Sequence, residues 1–381
     1  MRVFLIAGEP SGDALGQSLM AGLKSLVPEV EFHGVGGPRM ATEGLQSRFP
    51  MDELSVMGIA EVLPKYVHLK RRIRECAEAV LALKPDVLIT IDSPDFCLRV
   101  ARLVKAAGTI RTVHYVAPTV WAWRPGRAAR MAEVIDHVLA LFPFEPPLMQ
   151  AAGMDCDFVG HPIATQPRAT EDEARAFRAA KGIGDAPLAL LLPGSRRGEV
   201  TRIAPVLAET LIRMVEARAG LRAVLPAAAP VADLLREMVK GWTIAPILLD
   251  PAEGDTVKRA AFRAADVAIA ASGTVSLELA AARTPMVITY RMNPLTYAII
   301  RRMAITDTVT LVNLVADSRT VPEFLGPDCR PDLIVPAALN LLKDPRAQDA
   351  AMALTMERLG EGGEDPGLRA ARAVIARLPL R

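Results

Sequence analysis

The feature that most constrains this chain is a rhythm that occurs twice: a short apolar run, a turn rich in glycine, serine or acidic residues, then an amphipathic segment. It starts with residues 3–7, the turn Gly8-Glu9-Pro10-Ser11-Gly12-Asp13 and a leucine stripe at Leu15, Leu19, Leu23 and Leu26. It starts again with residues 188–192, the turn Pro193-Gly194-Ser195-Arg196-Arg197-Gly198-Glu199 and a second helical pattern. Apolar runs that do not alternate fit strands buried on both faces, and strands separated by helices pair in parallel. The expected class is therefore α/β, with Rossmann-like, doubly wound parallel sheets. Further strands are expected at 32–38, 86–91, 112–116, 137–142 and 156–159, then at 221–226, 247–249, 267–271 and 286–290.

A chain of 381 residues suits two domains of roughly 150–200 residues. The hydrophobic pattern lapses across 163–172, where Pro167 sits, which sets domains at 1–165 and 166–345. A basic and apolar terminal helix, within about 346–381, is expected to pack back across the domains.

Composition excludes several classes. Forty-five basic against 43 acidic side chains leave a net charge of +2, which provides no global field for nucleic acid. Cys76, Cys97, Cys156 and Cys329 lie far apart without a C-x-x-C pair, so neither a zinc site nor a disulfide framework is indicated, and a reducing compartment is the default. The opening apolar stretch is too short for a signal peptide, and no run reaches the ~18 apolar residues of a membrane span. A cytoplasmic protein is expected, with a membrane face as a candidate location.

Chemistry concentrates at the strand-to-helix turns. Gly194, Ser195 and Arg196 precede a helix start, where backbone N–H groups and a forked guanidinium favour a phosphate; the other reading is an ordinary turn with surface arginines. Ser272-Gly273-Thr274 opens another helix, with Glu278 about one turn on as an acceptor for ribose hydroxyls. Two such turns in one domain point to a nucleoside diphosphate, against simple helix capping. In the first half, the run 86–91 ends in Asp92, at the carboxyl edge where α/β proteins place ligands, which makes it a candidate general base. Asp95 is a second candidate or a helix cap. No metal-ligand cluster accompanies these carboxylates. Trp121 and Trp123 suggest a packed wall beside a ligand, with core packing alone as the other reading, and Asn313, inside an apolar run, calls for a hydrogen-bond partner. Apolar and basic residues interleave through 62–74, including Val62, Leu63, Val67 and Leu69. Such a helix either rests on an anionic bilayer or carries a solvated basic face over a core stripe.

In order and spacing, Gly8-Glu9-Pro10-Ser11-Gly12-Asp13, Ile91-Asp92-Ser93-Pro94-Asp95-Phe96, Val120-Trp121-Ala122-Trp123, Gly194-Ser195-Arg196 and Ala271-Ser272-Gly273-Thr274 resemble the bacterial lipid-A-disaccharide synthase family, from Met1 to about residue 345. Cys97, Ala117 and Val312 depart from its pattern, where Asn, Ser and Pro are usual. The resemblance implies a GT-B fold, with two Rossmann-like domains facing each other across a cleft. It implies inverting transfer of 2,3-diacylglucosamine from UDP-2,3-diacylglucosamine to the 6-hydroxyl of 2,3-diacylglucosamine 1-phosphate. The products are UDP and a β-1,6-linked disaccharide 1-phosphate. Asp92 would be the base, Arg196 would stabilise the departing diphosphate and Asn313 would face the active site. Gly194, Ser195, Ser272, Gly273, Thr274 and Glu278 would hold UDP; Glu9, Ser11, Gly12 and Asp13 would lie on the acceptor side. Val62, Leu63, Val67 and Leu69 would meet acyl chains or an anionic inner-leaflet surface. No metal, cofactor or nucleic acid is implied, the location is the cytoplasmic face of the inner membrane, and a homodimer is compatible. The competing expectations are another GT-B sugar-nucleotide enzyme, such as a UDP-N-acetylglucosamine 2-epimerase, and a non-catalytic nucleotide-binding protein.

Overall fold

A computed structural model describes residues 1–54, 59–122 and 126–378, with residues 59–65 and 295 described by their backbone alone. The chain divides into one unit of residues 1–165 and 362–381 and a second of residues 166–361.

Unit 1 contains β1 (Arg2–Ala7), β2 (Glu31–Val35), β3 (Val87–Ile91), β4 (Arg111–Tyr115), β5 (His137–Ala140) and β6 (Asp155–Phe158). They form one parallel sheet in the order β2-β1-β3-β4-β5-β6. Every residue of β3 is buried, as expected of a central strand with helices on both faces. Helices Pro10–Leu26, Ile59–Leu83 and Pro94–Ala107 follow β1, β2 and β3.

Unit 2 contains β7 (Leu188–Leu192), β8 (Arg222–Pro226), β9 (Ile247–Leu249), β10 (Val267–Ala271), β11 (Met286–Tyr290) and β12 (Glu323–Leu325). Its parallel sheet runs β12-β11-β10-β7-β8-β9. The chain lays strands outward from β7 through β8 to β9, then restarts on the other side of β7 with β10. That reversal is the topological switch point at which open α/β sheets bind ligands, in the crevice beyond the strand carboxyl ends. In unit 1 the reversal lies between β1 and β3.

The tail differs in extent from the sequence expectation. Residues 346–361 stay in unit 2: Gln348 exchanges hydrogen bonds with the Met286 backbone at 2.8 and 2.9 Å, and Thr355 in helix Asp349–Arg358 donates to the Val312 carbonyl. Only residues 362–381 join unit 1. Helix Pro366–Ala376 packs closely on helix Pro10–Leu26, because a β carbon on Gly22 would stand only 2.6 Å from the Gly367 carbonyl oxygen. Arg377 then ties the end of the chain to β6 through Asp155 at 2.9 Å and Asp157 at 3.1 Å.

Candidate active site

The unit 2 switch point opens into a cavity of about 690 Å³, a size that suits a small-molecule ligand. The turn after β7 contributes Gly194, Ser195 and Arg196, and the turn after β10 contributes Ser272, Gly273 and Thr274, so the two anion-friendly turns found in the sequence share one pocket. Helices Arg197–Ala217 and Val275–Ala282 begin at these turns, and no side chain caps either N-terminus. Two helix starts with uncapped N–H groups, backed by the helix dipoles, favour two phosphate groups more than one. Gly194 has φ +108°, and a β carbon there would meet Glu199 Oε2 at 2.7 Å, so glycine is required for the turn to pass this carboxylate.

Arg196 stands at the rim, 67% exposed, with Nη1 donating to Glu199 Oε1 at 3.1 Å. Glu278 also lines the pocket, where its carboxylate accepts from Lys258 Nζ at 2.6 Å. A further wall, from the ends of β8 and β9 and the segment after them, combines apolar Pro226, Ala227, Ala228, Leu249 and Pro251 with the acidic side chains of Asp250, Glu253 and Asp255. Lys258 and this wall are residues that sequence reasoning missed: a lysine on a surface helix carries no local signal, and the wall joins the ends of β8 and β9.

In unit 1, the switch point joins the turn after β1 to the end of β3. A β carbon on Gly8 would stand 2.6 Å from Ser93 Oγ, and Gly12 packs against the Ile91 carbonyl. Asp92 and Ser93 both adopt positive φ, 52° and 44°, and Val116, just past β4, has φ 85°. Non-glycine residues so placed cost about 1–3 kcal/mol each and cluster where ligands bind. Asp92 is half-buried, its N–H bonded to the Tyr115 carbonyl at 3.0 Å. Ser93 Oγ is buried without a hydrogen-bond partner. Asp95 is exposed in the first turn of helix Pro94–Ala107, whose cap position is Ser93, so Asp95 is not the cap. Glu9 is the N-cap residue of helix Pro10–Leu26, and Ser11 is exposed in its first turn.

Several expected site residues prove to be engaged within the fold. Asp13 is 2% exposed and accepts from the backbone N–H groups of Gly37, Arg39 and Met40 at 2.8, 2.9 and 3.0 Å; its carboxylate anchors the start of helix Pro38–Thr42. Asn313, 1% exposed, donates to the Val321 carbonyl at 2.9 Å and accepts from the Val321 N–H at 3.0 Å. It does not line the unit 2 pocket. Leu69 packs against the unit 1 core with Ile73, whereas Val67 is 79% exposed and Tyr66 projects beside it under Lys70. The side chains of Val62 and Leu63, and Trp123 as a whole, lie outside the described residues.

Beyond β4, β5 and β6 an aromatic group gathers at the same carboxyl edge. Trp121 meets Phe144 edge-on, Phe144 stacks on Phe142, and Phe142 leans on His161. Glu145, 2% exposed, accepts from the Leu141 and Phe142 N–H groups at 3.1 and 3.0 Å and so fixes the loop that carries Phe142. Burial pushes its carboxyl up to about 8, against the opposing pull of the Phe142 amide, the Trp121 indole and the Leu141 amide. Burial lowers His161 to about 4, so it is neutral, and its Nδ1 accepts from the Ile163 N–H.

Among the described residues, no group of three or more His, Cys, Asp or Glu is placed to hold a metal ion, and no helix is long and apolar enough to cross a membrane.

Comparison with known proteins places this geometry in a family. Residues 3–372 match the family model described as lipid-A-disaccharide synthetase. The chain is 64% identical over 384 residues to the lipid-A-disaccharide synthase of Ruegeria pomeroyi, covering 100% of this chain and 96% of that one. It is 46% identical to that of Rhodospirillum centenum, covering 98% and 94%. Among solved structures, it resembles UDP-GlcNAc 2-epimerase from Neisseria meningitidis bound to UDP-GlcNAc, with TM-score 0.64, 11% identity and 99% of each chain covered. It also resembles the Methanocaldococcus jannaschii UDP-GlcNAc 2-epimerase solved with UDP-GlcNAc and UDP, with TM-score 0.59, 12% identity and 99% of each chain covered. At such identities the likeness is one of fold, and it identifies the α/β architecture as GT-B. The sequence relationship is far closer and runs nearly end to end: this chain belongs to the lipid-A-disaccharide synthetase family.

Proposed function

We propose that unit 2 binds the UDP part of a UDP-2,3-diacylglucosamine donor and that Asp92 of unit 1 serves the acceptor, 2,3-diacylglucosamine 1-phosphate. The enzyme is a glycosyltransferase that forms the lipid A disaccharide. The observation that carries the donor assignment is the β7/β10 switch point, where two uncapped helix starts and Arg196 surround a single cavity. The apolar wall of Pro226, Ala227 and Leu249 suits the uracil ring, and Glu278 suits the ribose hydroxyls once Lys258 shares its carboxylate.

An α-linked donor that gives a β product requires one in-line displacement. Asp92 takes the proton of the acceptor 6-hydroxyl as that oxygen bonds to the anomeric carbon, and the electron pair of the broken glycosidic bond leaves on the UDP phosphate. Arg196 and the helix start at Val275 stabilise that developing charge. Asn313 supports the fold beside the site, since its two hydrogen bonds to Val321 hold the segment that leads to β12. The aligned epimerases are related by fold, and the family match favours transfer over epimerisation.

Both substrates carry acyl chains, which supports a peripheral location on the cytoplasmic face of the inner membrane, with Tyr66, Val67 and Lys70 turned outward. The test is to incubate purified protein with donor and acceptor in the presence of a chelator. The expected result is disaccharide 1-phosphate and UDP in equal amounts. Interconversion or hydrolysis of the UDP-sugar without coupling would refute the reading.

A further inference from the structure

Helix Pro294–Met303 and the segment that follows it leave an unusual surface on unit 2. Among the described residues, ten large hydrophobic side chains are exposed, and five of them, Ile299, Ile300, Met303, Ile305 and Val309, fall within this short span. Scattered exposed apolar residues are ordinary, but a concentration of this kind marks an interaction surface. Ile305 is 60% exposed and Ile299 52%. Of the helix side chains described, only Tyr297 is half-buried; its ring rests on Gly326, where a β carbon would come within 2.5 Å. Among the described side chains, the helix is thus anchored at Tyr297 and leaves Ile299, Ile300 and Met303 uncovered.

Charge identifies the occupant. Between residues 291 and 306 the charged side chains are Arg291, Arg301 and Arg302, and none is acidic. All three are exposed. The next acid, Asp307, is neutralised by Arg319, with Nε donating at 2.9 Å. A second copy of the chain seated symmetrically here would bring arginines against arginines, which disfavours self-association. An anionic lipid surface satisfies both components at once, because the isoleucines and methionine enter the acyl boundary while the arginine stems run along it and place their guanidinium groups among the headgroups.

We infer that helix Pro294–Met303, with Ile305 and Val309, is a docking surface for an anionic bilayer, separate from the Tyr66 and Val67 surface of unit 1. The inference rests on the peripheral location proposed above and not on the reaction. Its test is co-sedimentation of the full chain with vesicles of phosphatidylcholine, alone or mixed in equal parts with phosphatidylglycerol. Ile299→Asp with Ile300→Asp, and separately Arg301→Gln with Arg302→Gln, should each weaken binding to the mixed vesicles. The arginine pair should weaken it roughly 30-fold, from about 1 kcal/mol per basic residue near an anionic surface, and the salt dependence of binding should become shallower. Transfer with detergent-dispersed substrates should be unchanged in both variants, which separates failure of this inference from failure of the enzymatic reading. Wild-type binding by both double variants would overturn the inference. Equal binding of the wild type to vesicles without phosphatidylglycerol would also overturn it, as would light scattering that shows a dimer lost with Ile299→Asp/Ile300→Asp.

Discussion

Gly8 and Ser93 meet across the unit 1 switch point: a β carbon on Gly8 would lie 2.6 Å from Ser93 Oγ. This close approach sets the turn after β1 directly against the positive-φ pair Asp92 and Ser93. Gly8→Ala should destabilise the protein by about 1–3 kcal/mol, the usual cost of overpacking. It should lower kcat more than it changes UDP affinity. In a Ser93→Gly background, which removes the hydroxyl and relieves the positive φ, most of that cost should disappear. A double-mutant cycle read by chemical denaturation checks the coupling; strictly additive effects would argue against it.

Arg196 and Arg197 are neighbours in sequence, yet only Arg196 lines the pocket. Arg196→Ala should raise the Kd for UDP by roughly tenfold to a hundredfold, the range of one charge-assisted hydrogen bond at about 1.5–3 kcal/mol. Arg197→Ala should leave it nearly unchanged. Isothermal titration with UDP measures both, and equal losses would mean that the site reads general positive charge and not one guanidinium.

Asn313 should prove structural in its direct effect. Asn313→Ala removes both hydrogen bonds to Val321 and leaves that backbone buried and unsatisfied, at a cost of about 2–4 kcal/mol. The folded fraction should still bind UDP with wild-type affinity. A thermal melt alongside titration separates the two, and a weakened Kd at unchanged stability would put the amide on the ligand.

Glu145 makes stability depend on pH. Its folded pKa of about 8 lies above the ordinary 4.5, so the folded state favours the protonated carboxyl. The stability it contributes is therefore complete below about 4.5 and is lost as the pH rises through about 8. Glu145→Gln keeps an oxygen to accept from Leu141 and Phe142 but cannot ionise. Denaturation midpoints across this window should decline for the wild type and flatten in the variant; parallel profiles would contradict the assignment.

Much of the architecture was legible because buried parallel strands read as apolar runs and their ends carry glycine or hydroxyl turns, as at Leu192 to Ser195 and Ala271 to Thr274. β12 was not, since Glu323–Leu325 is a three-residue edge strand with a charged first residue. The two turns that line the unit 2 pocket were legible for the same local reason. What sequence could not convey is where a polar group turns in space. Asp13 sits in a glycine turn that looks built for a ligand, but its partners are the N–H groups at Gly37, Arg39 and Met40. Leu69 interleaves with basic residues as a membrane contact would, yet it shares a helical face with Ile73 and the core. Phe142, Phe144 and Glu145 share the loop after β5, but Trp121 and His161 reach them from the ends of β4 and β6, and no local pattern joins the three loops.

We propose a single displacement in which Asp92 is the base and the β7/β10 cavity holds the departing UDP. The most direct test is Asp92→Asn, with UDP affinity and disaccharide formation measured on the same preparation. The Kd for UDP should be unchanged and the rate lower by about 10²–10⁴-fold, the usual contribution of a positioned base. Wild-type turnover by Asp92→Asn would contradict the assignment of Asp92 as the base.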